Sequence, residues 1–230
     1  MNKSIPSIVM ASAVMISTNV SASSVDGLSV GVNYGLFSGP TLELTYPIND
    51  TFQVRGALSA GMGLSDESEG DTDQEIDYTA EADGGIHRLA VDYHPFGGTF
   101  FLSAGYAVNN FAFNTQGTGT GTVDVGDETY EGANISLKGQ LAWSSAPTLS
   151  LGWGHSPSEG WGAIFEVGAI FTGAPDVSLT GTGTYNDGAD NVNDAPEFIQ
   201  ALEDEKTDLK DDVADFTLLP IFQAGVTYRF

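Results

Sequence analysis

The sequence predicts an all-β chain: an antiparallel up-and-down transmembrane β-barrel of about ten strands, with eight as the alternative. Three observations predict it. Large apolar residues recur with period two along most of the chain, the pattern of half-buried strands. Connections between these segments divide into a short set and a long set, as they do in membrane barrels. Aromatic side chains band beside the short connections, at the height where amphipathic rings meet a membrane interface.

The first 22 residues read as a secretory signal peptide. Lys3 supplies the basic start, residues 8–16 are a short apolar run, and Val20-Ser21-Ala22 has the small-residue pattern of a cleavage site. The run is far below the roughly 20 apolar residues that a spanning helix needs. Residues 23–230 then form one unit, the barrel.

Ten strand segments are expected at 28–37, 41–47, 52–64, 84–95, 99–113, 132–143, 148–155, 161–172, 176–184 and 216–230. One face of each is large and apolar. The first presents Leu28, Val30, Val32, Tyr34 and Leu36, and the fifth Phe100, Leu102, Ala104, Tyr106 and Val108. The opposite face is small or polar, as in Ser29, Gly31 and Asn33. A soluble sandwich would also alternate, so the choice rests on connections and aromatics. The short connections are 47–51, 95–98, 144–147 and 173–175, and the long ones 65–83, 116–131 and 185–215. Segments 38–40 and 156–160 are short although parity puts them at the long-loop end. The expected girdle at the short-turn end is Tyr46, Phe52, Tyr93, Phe100, Trp143, Phe171 and Tyr228, with Tyr34, Trp153 and Trp161 near the other end.

Charge narrows the function classes. Lys and Arg number 7 against 31 Asp and Glu, a formal charge of −24. Such a chain offers nucleic acid no basic face. With no Cys, disulfides, thiolate metal sites and Cys nucleophiles are excluded. Arg55, Arg88, Lys138 and Arg229 fall on the small, polar face of strands, as do Glu43, Asp92 and Glu166. In a barrel this face is the lumen, where charges need partners. Glu43 and Arg55 are equidistant from the 47–51 turn and are expected to pair as cross-strand neighbours.

The last long loop should hold a helix over about 195–214. Asp194 can cap it and Pro196 suits its first turn. Phe198, Leu202, Leu209 and Val213 share a stripe. The acidic run 66–77 and the segment 187–194 lack the spacing of a calcium loop and read as solvated. Asn134-Ile135-Ser136 matches a glycosylation acceptor by chance. His155 stands near a rim with Ser156, Ser158 and Glu159, but strand neighbours point to opposite faces, so no catalytic set forms. His94, with Asp92 on the same face, reads as lumen hydrogen bonding. No cofactor, metal site or catalytic residue is expected.

The chain ends Gln-Ala-Gly-Val-Thr-Tyr-Arg-Phe. This resembles the C-terminal assembly signal of outer-membrane barrels, through Gln223, Gly225, Tyr228 and terminal Phe230. The segments 39–47 with Asn49-Asp50, Val91-Asp92-Tyr93-His94-Pro95-Phe96-Gly97-Gly98 and Leu151-Gly152-Trp153-Gly154 carry the same resemblance. Together they resemble a family of small Gram-negative outer-membrane β-barrel proteins, of the outer membrane protein W and A barrel type. The resemblance implies an outer-membrane location. It also implies contact with lipid and lipopolysaccharide, and recognition by the barrel-assembly machinery during insertion. The functional expectation is a non-enzymatic integral barrel, either structural or a narrow pore for small solutes through a charged lumen. The alternative is a surface interaction protein that uses acidic extracellular loops above a closed lumen.

Overall fold

The computed structural model describes residues 27–68, 76–126, 128–154 and 159–230. The segment expected to be a signal peptide, most of the acidic run 66–77 and His155 with Ser156 and Ser158 lie outside them. In chain order the strands are β1 (Ser29–Gly35), β2 (Gly39–Pro47), β3 (Phe52–Ser59), β4 (Leu64–Ser68), β5 (Ile76–Asp83), β6 (Ile86–Tyr93) and β7 (Phe100–Asn109). They continue as β8 (Ala112–Val125), β9 (Glu128–Ala142), β10 (Ala146–Trp153), β11 (Gly160–Ile170), β12 (Asp176–Tyr185), β13 (Asp190–Asn191) and β14 (Leu219–Arg229). A helix, α1 (Pro196–Asp212), precedes the last strand.

Eight strands close a barrel in the order β1, β14, β11, β10, β7, β6, β3, β2, every neighbour antiparallel. The barrel is inside out relative to a soluble protein. Val32, Leu42, Leu44, Leu58, Leu89, Leu102, Leu149, Phe165 and Val226 point outward and are about half exposed, while Ser29, Asn33, Thr41, Thr45, Gln53 and Thr227 are buried within. The pleat turns alternate residues to opposite faces, so one period-two pattern produces both surfaces.

The count is eight, not ten, and the reason is local. The 144–147 and 173–175 segments are not reversals. Through the first, β9 leads straight on into β10, and through the second, β11 leads on into β12; each member pairs with a different neighbour. Residues 143–145 and 171–175, the latter with Gly173 and Pro175, interrupt the strands as a turn would, yet the chain keeps its direction. The end of β10 and the start of β11 accordingly lie at the short-turn end.

Beyond the long-loop end, the barrel strands run on into a six-stranded sheet, β13-β12-β9-β8-β5-β4. Most of it lies in segments read from sequence as loop, because the Gly-Thr repeat of β8 and the acidic β4 lack apolar alternation. Gly84 sits at the join of β5 and β6 with φ +97, and a Cβ there would collide with the Asn110 carbonyl. Only glycine allows both that backbone and that approach.

Candidate functional site

The barrel interior is the most chemically loaded region of the described residues. Arg55, 2% exposed, projects from β3 into its centre. Its Nη1 donates to Glu43 Oε2 at 3.3 Å and to Glu166 Oε2 at 2.6 Å. Its Nη2 donates to Asp92 Oδ1 at 2.9 Å, Ser103 Oγ at 3.0 Å and Glu166 Oε1 at 3.1 Å. Arg88 meets Glu166 in a two-point contact, 2.9 Å on each oxygen, and donates to Gln223 Oε1 at 2.8 Å. Ser150 adds a hydrogen bond to Glu166 at 2.5 Å, and Gln223 donates to Glu43 at 3.2 Å. These groups come from seven of the eight barrel strands. Two guanidiniums face three carboxylates in a small volume, and bidentate geometry makes the pairing directional. The Phe101 ring, 0% exposed, lies with its centroid 5.2 Å from Arg55 Cζ.

Below this network, toward the short turns, Arg229 Nη2 donates to Gln53 Oε1 at 2.7 Å, and Gln53 Nε2 stands 3.0 Å from His94 Nε2. Arginine can only donate. It therefore fixes the Gln53 carbonyl toward itself and the Gln53 amide toward the imidazole, whose Nε2 must accept. The His94 proton then sits on Nδ1, 2.9 Å from the Gly98 carbonyl. Above the network, toward the loops, the interior turns apolar. Ile86, Ala107, Phe111, Ala146, Ile170, Leu219 and Ile221 form one cluster, closed over by Phe37, Met62, Ala82 and Trp143. A cavity of about 20 Å³ beside Ile86, Arg88, Ile170, Ile221 and Gln223 lies where the two layers meet, room for little more than one water.

The six-stranded sheet continues both interior and outer character. One face carries the row Phe113, Leu141 and Val177, and farther out Leu137 and Ile135. Here α1 packs, with Phe198 0% exposed among Val123, Val125, Tyr130, Ile135 and Val192. Gly181 leaves the space that the Phe198 ring occupies. The other face is polar, with Asn114, Gln116, Lys138, Gln140, Ser178 and Thr180 around a shallow groove of about 400 Å³. Burial and the nearby Glu128 and Glu197 carboxylates raise the Tyr130 hydroxyl above its ordinary pKa.

The structure brings six of the seven expected lumen charges inside: Glu43, Arg55, Arg88, Asp92, Glu166 and Arg229. Lys138 is the exception. It lies in β9 opposite Gln116 and Thr180, beyond the barrel, because the chain runs on past 144–147 instead of turning. Glu43 and Arg55 meet, but diagonally: Arg55 is registered against Thr45, and Glu43 against Ala57. Tyr46, Phe52, Tyr93 and Phe100 stand at the short-turn end. The same correction of direction moves Trp153 and Trp161 there, beside Phe100 and Tyr228 at 5.5 and 5.2 Å. Trp143 and Phe171 leave that belt for the loop end, where Trp143 stacks on Phe111. Gln223 takes part in the lumen network, Gly225 makes room for the Asn33 side chain, and Tyr228 packs edge-on against Phe230. Asp194 ends a 3-10 turn, and the α1 N-cap is Ala195, with Pro196 in the first turn. Ser103, Ser150, Gln53 and Phe101 also face the interior and bear on Arg55, on Arg229 or on the Glu166 carboxylate. Strand parity placed them inward; nothing in the sequence told which would reach an arginine. Among the described residues no group of three His, Cys, Asp or Glu stands close enough to hold a metal.

No protein-family model matches the chain, and no curated protein sequence does. Among solved structures it is similar to CarO2 of Acinetobacter baumannii, at 20% identity and a TM-score of 0.57 over 90% of this chain and 99% of that one. It is similar also to CarO of the same organism, at 18% identity and a TM-score of 0.53 over 89% and 98%. At these identities the likeness is one of fold: a small closed eight-stranded barrel, the architecture of the Gram-negative outer-membrane barrels that the terminal motif resembles.

Proposed function

We propose that the chain is an integral outer-membrane β-barrel with a sealed interior, whose work is done by the acidic sheet and helix beyond its loop end. On this reading it is a non-enzymatic surface interaction protein. The short turns face the periplasm and the extension faces outward, as in other membrane barrels. Outer-membrane lipid covers the apolar wall, and the assembly machinery reads Gln223, Gly225, Tyr228 and Phe230 during insertion.

One observation carries the reading against a pore. Arg55, locked to Glu43, Asp92, Glu166 and Ser103, crosses the lumen at mid-height. Eight strands leave an interior that side chains just fill, and here they fill it twice, with charges and then with an apolar cap.

The test is single-channel recording of refolded residues 23–230 in planar bilayers. Silence from inserted, folded protein is expected. Discrete openings whose ion selectivity shifts in the Glu43→Gln/Glu166→Gln double variant would overturn the reading in favour of a narrow charged pore.

A further inference from the structure

The outer wall holds a groove that neither the lumen nor the extension uses. Across β2, β3, β6 and β7 the outward residues form a register row, Leu44, Gly56, Leu89 and Tyr106. Gly56 is the missing side chain in that row: a Cβ built there meets nothing within 4 Å. The gap opens a groove of about 470 Å³ walled by Leu42, Leu44, Leu58, Leu89, Tyr106 and Val108, with His87 on its border.

His87 gives the groove a polar end. It is registered against Val108, one row nearer the loops than Leu89 and Tyr106. Its Nδ1 accepts a hydrogen bond from the Ser59 amide at 3.2 Å. In the neutral ring the proton is then on Nε2, which is a donor. No described residue takes that proton. The groove is thus apolar along its length, with one hydrogen-bond donor at the end nearer the loops.

We propose that this groove holds one acyl chain of an outer-leaflet lipopolysaccharide, and that His87 Nε2 donates to an oxygen of its acylated sugar head. The proposal rests on the membrane reading above. Position argues for the occupant: the groove lies within the outward apolar band, where only lipid chains or another chain's wall can cover it. Polarity argues for the leaflet. A lipid entering from the outer side brings its head to His87 and its tail down to Gly56. A phospholipid of the inner leaflet would bring its head to the end walled by apolar side chains alone.

The test uses the full mature chain, folded in mild detergent and mixed with purified lipopolysaccharide. Retained lipid is counted by native mass spectrometry. Wild-type protein is expected to keep about one equivalent. Gly56→Leu, whose Cβ has open space around it and whose side chain occupies the gap, is expected to weaken retention about tenfold. His87→Ala weakens it by a smaller factor, and Ala163→Leu on the opposite wall leaves it unchanged. Heat-dependent gel mobility reports that each variant is a folded barrel. Undiminished retention by folded Gly56→Leu overturns the groove. Equal retention of phosphatidylethanolamine overturns the choice of lipid. Failure of the wild-type chain to insert into vesicles overturns the membrane reading itself, a result separate from the other two.

Discussion

Glu166 accepts hydrogen bonds from both guanidiniums and from Ser150, all inside the barrel. A carboxylate has about four lone-pair positions, so its capacity is fully used. Buried ion pairs are weak evidence for stability as such, because desolvation offsets most of the attraction. Removing one partner is another matter, since the remaining charge stays buried. Glu166→Gln leaves Arg55 and Arg88 with less opposing charge and is expected to destabilise the barrel by about 3 kcal/mol or more. Ser150→Ala, which deletes one hydrogen bond to the same carboxylate, is expected to cost about 1 to 3 kcal/mol. Urea titrations of the two variants in micelles compare them. Equal midpoints would show that Glu166 does not organise the interior. The sequence showed these charges on one face of their strands. It did not show that four acceptors converge on Arg55, because parity fixes a side and not a height.

At the scale of elements, the β8–β9 hairpin and α1 depend on each other. The Phe198 ring stands edge-on to Tyr130 at 5.5 Å, and Tyr130 stands edge-on to Tyr185 at the same distance. An amphipathic helix of this length gains most of its stability from such a face. Tyr130 also links the hairpin to pH. Burial first, then Glu128 and Glu197, holds its hydroxyl above the ordinary value of 10.0. The unfolded chain therefore gives up this proton before the folded one. The contribution is whole below about pH 10 and is lost as pH rises through the folded value. Protease cleavage within α1 is expected to rise over that alkaline window, and Tyr130→Phe to flatten the rise. An unchanged profile in Tyr130→Phe would assign the pH response elsewhere. The stripe of Phe198 and Leu202 was legible in sequence. Its partner surface was not, because the Gly-Thr repeat of β8 has too little side chain to announce a strand.

For the whole molecule, the barrel and the extension are stabilised by different contacts. The barrel is closed by continuous ladders and by a charge network shared among its strands, whereas the extension has its own apolar cluster under α1. Phe198→Ala should therefore unsettle the extension alone. Loss of a large buried ring typically costs about 3 to 5 kcal/mol. The expected result is faster proteolysis of α1 with heat-dependent barrel mobility unchanged. Joint loss of both would show one cooperative unit.

The division between sequence and structure follows from range. Alternation is local, so the sequence alone determined which residues of a strand share a face, that one face is apolar and the other small or polar, and that the last strand ends in an assembly-like motif. Direction and closure are not local. An irregular stretch at 144–147 or 173–175 reads the same whether the chain turns back or runs on, and only the pairing of β9 with β8, β10 with β7 and β12 with β9 decides between them. That decision reduced ten strands to eight, moved Trp153 and Trp161 to the turn end, carried Lys138 out of the lumen, and brought Arg55 against Glu166 across the closed barrel.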